Sequence, residues 1–242
     1  MKQIFITFSS LLLCFMAFSA KAQSSFCLST DLQSRYVWRG MALGGSAPSI
    51  QPGATYSYKG LSVGAWGAFS LCTSAYQELD LSLNYSFCKD MFSVGVIDYA
   101  FPLYESNYSY FDYPKNHILE ASVAFKGTQR LPLTFALFTN LCGADSKNND
   151  GKRAYSSYAE LGYTLTCQKL ESTFSFFCGC ALNGARVNSF YGNKKFAPVN
   201  VGASAKKTLK INESFALPIK ATIAVNPNSK KTYFIIGTGI AL

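Results

Sequence analysis

From Glu78 to Phe87 the chain reads ELDLSLNYSF, with apolar and polar residues alternating at every position. Strand side chains alternate sides with period two, so Leu79, Leu81, Leu83, Tyr85 and Phe87 share one face. Glu78, Asp80, Ser82, Asn84 and Ser86 share the other. The strand therefore has one greasy side and one wet, partly charged side. About ten tilted residues is also what a strand needs to cross a bilayer.

The pattern recurs along the chain, and turn signals divide it into twelve predicted strands. These are residues 26–37, 49–58, 61–70, 78–87, 91–101, 117–125, 133–140, 155–165, 171–182, 199–208, 215–225 and 232–242. The links alternate in length. Trp38 to Pro48, Leu71 to Gln77, Pro102 to Asn116, Leu141 to Ala154, Asn183 to Pro198 and Asn226 to Lys231 are the odd-numbered links. The even-numbered links between them, from Lys59-Gly60 to Leu209–Ser214, run to seven residues at most. Long outer loops and tight periplasmic turns alternate in this way in outer-membrane barrels. An even strand count also returns both ends to the periplasm.

The faces agree with this reading. Leu119, Ala121, Val123 and Phe125 face lipid while Glu120 and Ser122 face in; Phe234, Ile236, Ile240 and Leu242 face out opposite Gly237 and Gly239. Met91 to Phe101 carries apolar residues on both sides, and its orientation stays open. A soluble sandwich or lipocalin-like barrel also alternates. Long strands, alternating links and a charged fraction of only 14% favour the membrane. The fold class expected is all-β, an antiparallel transmembrane β-barrel of about twelve strands.

Residues 1–22 read as a secretory signal peptide: Lys2, an apolar run from Leu11 to Phe18, and the small-x-small ending Ala20-Lys21-Ala22. Residues 23–242 would then form a single barrel domain. Loss of Lys2 and Lys21 takes the formal charge from +9 to +7. An exported basic chain meets no nucleic acid in normal work, and outer-membrane lipid and lipopolysaccharide phosphates are the expected counterparts. Seven cysteines remain after Cys14 leaves, an odd count that precludes complete internal pairing. Most read as small hydrophobes. A Cys72–Cys142 bridge between loops on one side is left open, and no metal or cofactor is implied.

The Ser34-Arg35-Tyr36-Val37-Trp38-Arg39-Gly40 run resembles the signature near the start of the TorF family of porins. Gln51-Pro52, Gly64-Ala65-Trp66, Glu78-Leu79-Asp80 and Tyr99-Ala100-Phe101-Pro102 follow in the family's order. Arg35 stands where that family commonly carries an acid. The resemblance implies an outer-membrane barrel and brings no substrate.

The candidate lumen residues are Asp31, Arg35, Glu78, Asp80, Glu120 and Glu160, with Lys206 and Lys220. Acids outnumber bases on this inward set, which predicts a slight cation preference if the lumen is open. Cross-strand pairing of Arg35 with Asp31, Glu78 or Asp80 is the alternative. Trp66, Phe138, Tyr158 and Phe177 point inward on the same register. The outer loops are basic, counting Arg39 and above all Lys194, Lys195, Lys230 and Lys231, candidates for binding lipopolysaccharide, acidic glycan or a protein partner. Tyr104, Tyr108, Tyr110, Phe111 and Tyr113 crowd the third outer loop. His117 beside Asn116, with Ser109 nearby, would need a serine in reach to be catalytic, and no nucleophile elbow occurs, so no enzyme is expected. The reading is a porin-like passage for small polar solutes or ions, with a closed structural or interaction barrel as the alternative.

Overall fold

The computed structural model describes residues 24–72, 76–101, 109–184, 189–213 and 215–242. The expected signal segment, residues 1–22, lies outside them, as do Tyr104 and Tyr108. Fourteen strands follow in order: β1 (Ser24–Gln33), β2 (Val37–Trp38), β3 (Met41–Ala42), β4 (Ser49–Tyr58), β5 (Leu61–Ser70), β6 (Gln77–Phe87) and β7 (Phe92–Ala100). Then come β8 (His117–Phe125), β9 (Leu133–Gly143), β10 (Ser157–Cys167), β11 (Ser172–Ala181), β12 (Ala197–Lys210), β13 (Ala216–Asn226) and β14 (Lys231–Ala241). A single-turn helix, α1 (Tyr113–Asn116), precedes β8.

Twelve strands close into an antiparallel barrel, and β2 with β3 form a separate hairpin. β1 seals the barrel by pairing with β4 on one side and β14 on the other, so no edge is left unpaired. The apolar faces point out: Phe234 is 72% exposed and Ile236 64%, while their neighbours Tyr233 and Ile235 are buried inside. A soluble barrel would have the reverse arrangement. An apolar outer wall around a polar interior is what a hydrocarbon surrounding requires.

The open question of the Met91–Phe101 segment resolves by register. Phe92, Val94 and Val96 are exposed, and Ser93, Gly95, Ile97 and Tyr99 turn inward. Tyr99 lies opposite Asp80 and Ile118.

The largest departure from the sequence reading is at β1, which stops at Gln33 instead of continuing to residue 37. Ser34 ends the strand by bonding Ile236 twice, its backbone N–H donating to the carbonyl (2.8 Å) and its hydroxyl accepting from the N–H (3.0 Å). The chain then turns into the barrel, and the β2–β3 hairpin follows with Arg39 (φ 46°) and Gly40 (φ 76°) at its tip. Two β-bulges sit on the same rim. Glu120 faces Asn140 and Leu119 faces Cys142, leaving Leu141 unpaired; Gly179 faces Asn200 and Cys180 faces Pro198, leaving Val199 unpaired. Bulges re-aim side chains, and Val199 ends up fully buried inside the rim.

Candidate functional site

The hairpin fills the outer part of the lumen. On one side Val37 and Ala42, together with Phe177, pack against Ala224, Tyr233 and Ile235. On the other, Trp38 and Met41 pack against a buried cluster that includes Tyr158, Tyr191 and Val199. Trp38 also meets Tyr99 edge-on, with ring centroids 5.6 Å apart. Gly40 lies against the Val199 carbonyl so closely that a Cβ would collide with it, and the Asn226 side chain donates to the Gly40 carbonyl at 3.0 Å. The left-handed φ and this close approach together require glycine at the tip.

Arg39 anchors the hairpin. Its Nη1 lies 2.6 Å from Glu120 Oε2 and its Nη2 2.9 Å from Oε1, a two-pronged pair with side chains only 8% and 1% exposed. Nη1 also donates to the Tyr191 hydroxyl at 2.7 Å, and Tyr99 donates to Glu120 Oε1 at 2.9 Å. The guanidinium stacks near the rings of Trp38, Phe138 and Tyr158, 4.1 to 4.6 Å from their centroids. Burial works against its charge, but Tyr191 and Glu120 more than offset that and hold it above the ordinary arginine range.

Sequence reasoning put Arg39 on the outer rim; the structure puts it inside. Arg35, expected in the lumen wall, lies past the end of β1 with its guanidinium 5.9 Å from the Tyr233 ring centroid. The expected pairings of Arg35 with Asp31, Glu78 or Asp80 do not form. Strand parity turns Arg35 inward only if β1 continues past Gln33, where it ends. Tyr36 takes the inward place, buried near Trp66 (5.5 Å) and Tyr76 (6.0 Å), and burial followed by the Glu78 charge pushes its phenol far up.

The predicted inward acids all face in, and most have partners. Glu78 is 1% exposed and accepts from the Tyr76 hydroxyl at 2.7 Å. Glu160 accepts from the Tyr158 hydroxyl and, at 3.1 Å, from Asn200 Nδ2. Asp80 stands next to Glu78 on the same face with one buried oxygen unbonded. Inward of the hairpin a cavity of about 740 Å³ extends toward the barrel end that carries Ser29 and Ala241, lined by Arg39, Asp31, Glu160, Lys206, Lys220 and hydroxyl side chains such as Ser204.

On the rim, Lys194, Lys195, Lys230 and Lys231 are exposed. Their two loops touch, Asn228 Nδ2 donating to the Gly192 carbonyl at 3.1 Å. Outside the wall, where Asp98 shares the outward face of β7, His117 Nδ1 lies 3.0 Å from both Asp98 oxygens and Nε2 2.7 Å from the Tyr110 carbonyl. Both partners are acceptors, so the two bonds coexist only when each nitrogen carries a proton. Tyr113 stacks on the ring at 4.0 Å and Tyr110 meets it edge-on at 4.8 Å, leaving His117 wholly buried. Neither nitrogen is free for a serine, and Asn116 is turned to the Ser109 carbonyl. Cys72 and Cys142 are both free thiols.

The bacterial family of unknown function designated Gcw_chp matches residues 19–179. The chain belongs to this family. The family found is thus Gcw_chp, where the sequence resemblance had pointed to TorF. No protein among the curated ones matches. Among solved structures the chain is similar to the NanC porin, with TM-score 0.50 and 11% identity over 90% of this chain and 98% of the other. It also aligns with a doubly substituted OccD1 (OprD), TM-score 0.35 and 14% identity over 90% of this chain and 65% of the other. The NanC likeness is one of fold, a porin-like twelve-stranded barrel.

Proposed function

We propose that this protein is exported through the signal peptide of residues 1–22 and acts in the outer membrane as a porin-like channel. It would pass small polar solutes or ions passively, with the β2–β3 hairpin narrowing the outer mouth. The observation that carries this reading is the cavity inward of the hairpin. Its wall keeps Asp31, Lys206 and Lys220 exposed to the lumen, with hydroxyl side chains between them. A barrel serving only as a scaffold would gain by filling this space with apolar side chains, since lone charges in a dry interior are costly. A wet lumen removes that cost.

The cation preference expected from the inward acids does not carry into this proposal. Glu120 is neutralised by Arg39, Glu160 is held by Tyr158 and Asn200, and Glu78 is bonded to Tyr76 beneath the hairpin. On the cavity wall itself Asp31 and Glu160 face Arg39, Lys206 and Lys220, so acids do not outnumber bases there. The test is single-channel conductance of residues 23–242 in a planar bilayer. Discrete steps support the channel; a folded, silent barrel removes it.

A second reading is favoured by the contact between the two lysine-bearing loops. Lys194, Lys195, Lys230 and Lys231 would then form one basic patch for lipopolysaccharide phosphates or an acidic partner. Neutralising all four should weaken lipopolysaccharide binding in a salt-dependent way if this patch is used.

A further inference from the structure

Lys206 on β12 and Lys220 on β13 are direct cross-strand partners. Both point into the lumen, because they share the face of Ser204, Thr222 and Gly237 in the cavity wall. Like charges directly opposite each other in an antiparallel pair repel and destabilise the sheet. Among the described residues neither lysine makes an ion pair or a hydrogen bond. The surroundings give them room: Lys220 lies opposite Gly237, which has no side chain to shield it, and Lys206 lies beside Thr173.

The acids of the cavity do not answer this pair. Glu160 is tied to Tyr158 and Asn200 near the hairpin, where Arg39 also sits. Asp31 is on β1 opposite Gly239, with β14 between it and β13, and no ion pair joins it to either lysine. Two ammonium groups on adjacent strands, some 5 Å apart at their roots, match the two oxygens of one carboxylate or phosphate. From this juxtaposition we infer that Lys206 and Lys220 form an anion-binding station in the periplasmic half of the lumen, taking solutes that carry a carboxylate or phosphate group. The inference rests on the channel reading for its physiological meaning, but the station itself is a property of the folded barrel.

Inorganic phosphate is the probe. The barrel of residues 23–242 is refolded in detergent as wild type, as Lys206→Gln/Lys220→Gln and as Lys207→Gln, whose side chain points outward. Phosphate should raise the unfolding temperature of the wild type and of Lys207→Gln beyond sodium chloride at equal ionic strength. That rise should vanish in the double variant, which in the absence of phosphate should unfold at a higher temperature than wild type. In bilayers, the reversal potential in a potassium chloride gradient should shift toward cations in the double variant. A phosphate effect equal in wild type and double variant overturns the station. Silent barrels that keep a lysine-dependent phosphate effect defeat the channel reading and leave the station standing. Conducting barrels with no lysine-dependent effect do the opposite.

Discussion

Arg39 and Glu120 stand 81 residues apart in the chain, yet meet inside the barrel as a two-pronged ion pair at 2.6 and 2.9 Å. One belongs to a hairpin that left the wall after β1 and the other to the wall itself, so the pair ties the constriction to the barrel. Removing either partner leaves a buried charge without an answer, which costs about 3–5 kcal/mol, whereas replacing both by apolar residues is nearly neutral. Arg39→Met should therefore unfold well before wild type in urea, and Arg39→Met with Glu120→Leu should recover most of the loss. Equal stability of all three proteins would refute the clamp.

Gly40 and Gly45 both have left-handed φ, 76° and 65°, but only Gly40 is pressed against backbone. Gly45→Ala should cost about 1–2 kcal/mol of conformational strain and leave the hairpin seated. Gly40→Ala cannot fit against the Val199 carbonyl and should displace the hairpin. Channel conductance should rise in Gly40→Ala and stay at the wild-type value in Gly45→Ala.

Tyr191 accepts from Arg39, and burial pushes its phenol up to about 12 from the ordinary 10. A group whose folded value is raised supports the fold fully below its unfolded value and loses that support as pH rises through the folded one. The wild type should hold its stability up to about pH 10 and lose it progressively toward pH 12. Tyr191→Phe should be less stable at neutral pH by about 1.5–3 kcal/mol, the worth of a hydrogen bond to a charged group, and should show a shallower alkaline decline. Paired urea titrations between pH 8 and about 12 check this.

His117 and Asp98 hold the segment from Tyr110 to Asn116 against the outside of the barrel. Asp98→Asn keeps the shape but gives up the charged acceptor, and is expected to cost about 1–3 kcal/mol. Chymotryptic cleavage after Tyr110 or Phe111 should speed up in the variant on intact vesicles, while the transmembrane wall stays protected. Unchanged cleavage would mean that the contact contributes nothing.

The wall was legible because period two is a local signal: Glu78–Phe87 names its own faces, and the alternating links supplied the strand count. The lumen was not. Nothing local at Val37 says that the chain has already left the wall, since Arg35-Tyr36-Val37 alternates as a strand would. The deciding events are the Ser34 bonds to Ile236 and the fit of Gly40 against Val199, each between residues more than a hundred positions apart. One local clue was present: Arg39-Gly40 is a turn dipeptide flanked by Val37-Trp38 and Met41-Ala42, a short hairpin pattern. The bulges at Leu141 and Val199 were invisible for the same reason, because they depend on partners. Asp98 was missed as the partner of His117 because β7 is apolar on both sides.

The most direct test of the account is the single-channel conductance of wild type beside a barrel whose residues 36–42 are replaced by a Gly/Ser linker. A channel narrowed by the clamped hairpin predicts small discrete steps in wild type and severalfold larger steps without the hairpin, in barrels that both remain folded by circular dichroism at the temperature of recording. Silence in both would contradict it, since the hairpin would then be closing nothing that conducts.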